Sequence, residues 1–83
     1  MNQAARTPKQ IGTIIQRQRR AKKLTQSALA DLSGIRQEKI SMIETGSPGT
    51  RIETICLLLA ALDLDLSMVS RSKGSAKDIE DIF

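Results

Sequence analysis

At 83 residues the chain is long enough for one small domain and too short to enclose a deep catalytic pocket alone. It has no His, Trp or Tyr and a single Cys, which removes the commonest general base, any internal disulfide and any His/Cys metal site. Thirteen Lys and Arg against nine Asp and Glu leave a formal charge of +4, which favours an anionic partner over a merely solvated basic surface.

The charge is uneven. Residues 1–30 hold Arg6, Lys9, Arg17, Arg19, Arg20, Lys22 and Lys23 and no acid, and every acid lies at Asp31 or later. This asymmetry reads as a nucleic-acid footprint. The longest apolar stretch, Ile55 to Leu62, is too short to cross a bilayer, and the N-terminus lacks a charged-then-apolar signal pattern. The expectation is a cytoplasmic protein with no membrane, metal or cofactor partner. With no His and no paired carboxylates in a plausible pocket, no constellation carries catalysis, so an enzyme is not expected.

The composition predicts a disordered N-terminus over 1–6, a folded domain over 7–69 and a flexible tail over 70–83. Thr7-Pro8-Lys9-Gln10 opens a first helix: Thr7 caps, Pro8 takes the first helical position, and Gln10 reaches back to complete a capping box. The helix runs to about Lys22 with Ile11, Ile14 and Ile15 inward, and Gln18 and Arg19 continue that face.

A second helix covers roughly 26–33, capped by Thr25, with Leu29, Ala30 and Leu32 as its apolar side. Gly34 ends it with a left-handed residue. Ile35 packs down, and a third helix covers roughly 37–45, with Ile40 and Ile43 buried and Gln37, Glu38, Ser41 and Met42 on the other side. Two short helices joined by a Gly turn, the second with a polar outer face, form a unit that the DNA major groove accepts.

Thr50-Arg51-Ile52-Glu53 reads as a second capping box, starting a fourth helix at about Arg51 that runs to Leu62. Ile52, Ile55, Leu58, Leu59 and Leu62 line one side, and Cys56, Leu57, Ala60 and Ala61 leave little polar surface. Cys56 reads as a packed thiol. A helix apolar nearly all round needs more cover than this chain supplies. Leu62 to Met68 then alternates apolar and polar, the pattern of a half-buried strand whose partner is the same strand of a second copy. The expected dimer interface is Leu58, Leu62, Leu64, Leu66 and Met68. In the tail, Ile79, Ile82 and Phe83 stand among acids and form a candidate docking motif for a partner protein.

The chemistry of the groove nominates contacts. Gln37 bonds adenine at two atoms; Glu38 repels phosphates, so it accepts from a cytosine amino group or points to solvent; Ser41 is short and reaches either; Met42 touches a thymine methyl; and Arg36 meets a phosphate or reads guanine. Lys39 is a phosphate contact, and the amides and side chains of Thr25, Gln26 and Ser27 at a helix N-terminus suit a phosphate. Ser47 and Arg51 are weaker phosphate candidates. A dimer of such units reads an inverted repeat in double-stranded DNA.

Thr25-Gln26-x-x-Leu29-Ala30, Gly34-Ile35, Gln37, Ile40-Ser41-x-Ile43-Glu44 and Gly46 resemble the helix-turn-helix family of lambdoid phage repressors, the Xre or Cro type, over roughly residues 8–62. The resemblance implies an all-α, compact lambda-repressor-like domain of four to five helices, here followed by one C-terminal β-strand pairing across a homodimer. It implies that Arg19 bonds Glu44, locking the first helix onto the third; a phosphate contact is the alternative role for Arg19. It further implies that Gln26 grips the DNA backbone.

Within the family the chain is most similar to the HipB-type antitoxins, on Thr7-Pro8-x-Gln10, the loop after the third helix, and the ending Leu62-Asp63-Leu64-Asp65-Leu66-Ser67-Met68 followed by a polar tail closed by an aromatic. That resemblance implies a transcriptional repressor that is also the antitoxin of a HipA-like Ser/Thr kinase toxin and autoregulates its operon. Arg36 and Glu38 depart from the usual residues, so the operator sequence does not carry over. A stand-alone regulator of the phage-repressor or restriction-modification-controller kind, and a protein-interaction module that reuses the fold, remain alternatives.

Overall fold

Backbone caps set the boundaries of the helices in the computed structural model, which describes residues 4–71. Four helices run α1 Pro8–Ala21, α2 Gln26–Ser33, α3 Gln37–Glu44 and α4 Ile52–Ala61, with no strand among the described residues. The all-α reading therefore holds.

At the start of α1, Thr7 is extended and its Oγ1 accepts the Gln10 N–H at 3.1 Å, with Pro8 next in line. The Gln10 side chain does reach back, but it accepts from the Arg6 N–H, one residue ahead of the cap. Thr25 caps α2 in the same way, its Oγ1 accepting the Ala28 N–H at 2.9 Å. Gly34 (φ 77°) ends α2 in the left-handed region, where a side chain would be strained.

The second expected capping box does not form. The extended residue is Arg51 (φ −66°, ψ 141°), so α4 starts at Ile52, and Glu53 is its second residue rather than its third. The register that would let Glu53 bond back to Thr50 is lost.

Packing follows the apolar stripes. Ile15, Leu29, Ile40, Ile43, Ile55, Leu58, Leu59 and Leu62 form one core, with α3 against α1 and α2, and α4 against α2. Each fully buried aliphatic side chain contributes about 1.5–3 kcal/mol. Ile11, Leu24, Ile35 and Leu64 pack partly against this core.

Three residues of the apolar runs lie at the surface instead of in the core. Leu32 is 61% exposed: the buried stripe of α2 passes between Leu29 and Ala30, and Leu32 lies roughly a third of a turn away from its centre. Ile52 is 65% exposed, because the stripe of α4 continues in angle while the covering layer does not. Cys56 is exposed rather than packed, on the outer side of α4.

Leu58 and Leu62, expected at a dimer interface, have no accessible surface in the single chain. A chain this short uses its strongest stripe to close its own core, so neither side chain is available to a second copy. Leu62 also ends α4 rather than opening a strand. Asp63 takes a left-handed conformation (φ 62°), with Asp63 N–H on Ala60 O and Leu64 N–H on Leu59 O, which completes a helix-terminating turn. An extended segment can begin only at Leu64. Leu64 is half-buried, Leu66 is 49% exposed and Met68 is 85% exposed.

Gly12 sets the distance between α1 and α3. A Cβ at Gly12 would stand 2.1 Å from the Ile43 carbonyl oxygen and 3.0 Å from that of Glu44. Gly12→Ala is expected to push the two helices apart at a cost of about 1–3 kcal/mol, read as a lower urea midpoint in circular dichroism. An unchanged midpoint would show that the close approach is not needed.

Candidate nucleic-acid interface

Helix α3 carries eight residues, and its sides are sharply different. Ile40, Ile43 and Glu44 are buried, while Gln37, Glu38 and Met42 are exposed and Ser41 is half-buried. At 3.6 residues per turn these four outer residues share an arc of roughly 140°. Arg36 precedes the helix in extended conformation, is exposed, and makes no side-chain cap bond. Met42 keeps 49% of its surface accessible. Lys39, on the flank of that arc, is half-buried.

What holds α3 in place is a buried polar network. Arg19 of α1 approaches Glu44 side-on: Nε donates to Oε2 at 2.7 Å and Nη2 to Oε1 at 3.0 Å. Arg19 Nη1 donates to the Leu24 carbonyl at 2.8 Å, in the turn between α1 and α2. Gln26 Nε2 of α2 donates to Glu44 Oε1 at 3.1 Å. Arg19 is 8% exposed and Glu44 5% exposed. The Arg19–Glu44 pairing that the family resemblance implies is thus present, and it takes up the Arg19 guanidinium.

Burial pushes the Glu44 carboxyl up, but the hydrogen bonds from Arg19, Gln26 and Gln16 and the charge of Arg19 outweigh it and hold it below its ordinary value of 4.5. The hydrogen bond to Glu44 raises Arg19 against the opposing effect of burial.

The same network gathers the candidate phosphate contacts. The Gln26–Glu44 bond brings the start of α2 to the C-terminal end of α3. Thr25 and Ser27 are exposed on either side of half-buried Gln26. The Thr25 hydroxyl oxygen already accepts the Ala28 N–H and has its own proton left to donate. Ser47 is half-buried and tied to α3 through its N–H on the Met42 carbonyl at 3.0 Å. Arg51 is exposed at the start of α4, and among the described residues no hydrogen bond or ion pair joins it to α2 or α3. Ile79, Ile82 and Phe83 lie outside the described residues.

Two features of the site have no local signal in the sequence. Gly12 carries no local turn signal, and only the crossing of α1 over α3 reveals its role. The Gln26–Glu44 bond joins residues 18 apart, a separation at which no helical periodicity operates.

Because folding lowers the Glu44 value, its contribution to stability is fully present above the unfolded value of 4.5 and is lost as pH falls through the lowered folded value. Glu44→Gln is expected to cost about 3–5 kcal/mol by leaving Arg19 buried and unpaired, and to flatten the acid limb of a stability-versus-pH curve measured by urea unfolding. An acid limb unchanged in Glu44→Gln would assign that limb to other carboxyls.

The helix-turn-helix family model HTH_3 matches residues 15–69. Among solved structures, one of a HipB variant in complex with an O2 20mer is 26% identical, with a TM-score of 0.80, over 87% of this chain and 100% of that one. A HipA–HipB–O2–O3 complex contains a chain 28% identical, with a TM-score of 0.79, over 86% of this chain and 100% of that one. A structure described as MDT protein matches at 28% identity and a TM-score of 0.78, over 86% of this chain and 100% of that one. No curated protein matches. The HipB neighbours agree with the HipB-type resemblance drawn from the residues. With an outer face on α3 held by a buried network, and a family model spanning more than half of its length, the chain belongs to the helix-turn-helix family.

Proposed function

We propose that this chain is a sequence-specific transcriptional repressor that binds double-stranded DNA as a homodimer, and that it is the antitoxin of a module whose toxin is a HipA-like kinase. The observation that carries the DNA-binding reading is the outer face of α3. Arg36, Gln37, Glu38, Ser41 and Met42 form a largely polar, mostly exposed surface whose side chains make no hydrogen bond among the described residues, on a helix anchored from behind by Arg19 and Gln26. A helix of this kind fits the major groove with its N-terminal residues at the base edges. The neighbouring HipB structures contain O2 and O3 elements, which supports the same reading.

The base contacts are then Arg36, Gln37, Glu38, Ser41 and Met42, and the phosphate contacts Thr25, Gln26, Ser27, Lys39, Ser47 and Arg51. A second copy covers the apolar surface left open on the outer side of α4 and beyond it: Ile52, Cys56, Leu57, Leu66, Met68 and Val69 are all exposed. Leu64, Leu66 and Met68 pair with the same segment of the partner. Two recognition helices related by a two-fold axis read an inverted repeat about one helical turn apart. The toxin partnership rests on the likeness to HipB, one of whose structures also contains HipA.

Fluorescence anisotropy on duplexes enriched from a random pool tests the DNA reading. Gln37→Ala is expected to lose about 1–3 kcal/mol of discrimination between enriched and scrambled duplexes. Lys39→Ala is expected to weaken both alike and to lower the slope of log K against log salt by about 1. Equal loss on both duplexes with Gln37→Ala would remove it from the base edge.

A pull-down from nuclease-treated native lysate, with the full chain and with a version ending at Ser70, tests the partnership. Recovery of a protein-kinase homologue by the full chain is expected, and its loss on truncation would assign docking to the segment containing Ile79, Ile82 and Phe83. Recovery of no kinase by either bait would leave only the repressor.

A further inference from the structure

We propose that Glu38 selects cytosine at one position of each DNA half-site, an inference that rests on the DNA-reading function proposed above. Glu38 is the second residue of α3, exposed, and on the same outer arc as Gln37, Ser41 and Met42. It lies between two cationic neighbours in sequence, Arg36 and Lys39, yet pairs with neither: Arg19–Glu44 is the one ion pair among the described residues. Its carboxylate is left with its acceptor capacity unused on the face that would enter the groove.

An ionised carboxylate accepts hydrogen bonds and donates none. Phosphate oxygens repel it, so at a DNA surface it faces either solvent or a donor on a base edge, and its place on the outer arc of α3 favours the base edge. In the major groove the donors are the cytosine N4 and adenine N6 amino groups, whereas guanine presents N7 and O6 acceptors and thymine an O4 acceptor and a methyl group. Adenine N6 lies between two acceptors, N7 of its own ring and O4 of the paired thymine. Cytosine N4 has an acceptor on one side only, O6 of the paired guanine, and a C–H on the other. The second carboxylate oxygen therefore meets less repulsion at cytosine. Gln37, a neutral amide that both donates and accepts, carries no such exclusion. Arg36 and Lys39 offset the approach of a negative charge to the phosphate backbone without altering which base edge it faces.

A competing role is purely structural. An acid in the first turn favours a helix N-terminus, and the α3 cap residue, Arg36, makes no side-chain bond. That role predicts nothing about bases, so the two separate cleanly.

The experiment is selection of bound duplexes from a random-sequence pool by the full chain, by Glu38→Gln and by Glu38→Ala, with the bound sequences compared position by position. The parent is expected to fix cytosine at one position per half-site. Glu38→Gln is expected to convert that position to adenine, which an amide bonds at N6 and N7, with a relative preference changed about 5- to 150-fold. Glu38→Ala is expected to leave the position unselected, while the positions read by other side chains keep their bases. One consensus common to all three proteins would overturn the proposal and leave Glu38 as a helix-end acid, with DNA reading intact. No consensus from the parent would overturn both the proposal and the DNA reading beneath it.

Discussion

The side-on pairing of Arg19 with Glu44, 2.7 and 3.0 Å long and almost fully buried, is the interaction on which the rest of this fold depends. Two eight-residue helices are too short to persist alone, and the packing of a few Ile and Leu side chains leaves their relative rotation loosely specified. A charged pair taken out of water carries a large desolvation penalty and tolerates only one good geometry. Here that geometry includes the Leu24 carbonyl and the Gln26 amide, so one guanidinium and one carboxylate register α1, the α1–α2 turn, α2 and α3 together. The outer face of α3 owes its orientation to groups on its inner face.

Close backbone approach reinforces this arrangement. Gly12 lets α1 come down onto the last carbonyls of α3, beside the Glu44 that Arg19 holds. Helix ends are handled less economically. Lys23 and Asp63 both occupy left-handed conformations (φ 59° and 62°) in turns that close α1 and α4, each at a cost of about 1–2 kcal/mol relative to glycine. The first of these turns leads directly into the Thr25 cap, and so places the start of α2 against Glu44.

The apolar residues divide into two populations. Ile55, Leu58, Leu59 and Leu62 complete the core of the single chain, whereas Cys56, Leu57, Leu66, Met68 and Val69 stay at the surface. Within the second group, Cys56 and Leu66 line one surface cleft at the end of α4, which singly scattered surface residues do not do. The proposed second copy accounts for it without drawing on Leu58 or Leu62, whose side chains are already enclosed.

By itself the sequence determined the four helices, because caps and periodicity are local: Thr7 and Thr25 hold their N–H groups, Gly34 turns the chain, and Ile40 and Ile43 face inward as the spacing requires. The polar outer face of α3 was legible for the same reason, since an arc of a helix follows from residue order alone. Only the tertiary structure decided which apolar residues are enclosed. Leu32, Ile52 and Cys56 sit in apolar runs yet are exposed, and Leu58 and Leu62, which the sequence pattern offers to a partner, fill the core. Periodicity gives a side chain its direction around a helix but not what stands opposite. The same limit hid Gly12 and the Gln26–Glu44 bond, which exist only where two elements distant in sequence meet. The helix cap at Arg51 fell one residue later than Thr50 because the geometry of the loop before α4, and not residue type alone, chooses which residue stays extended.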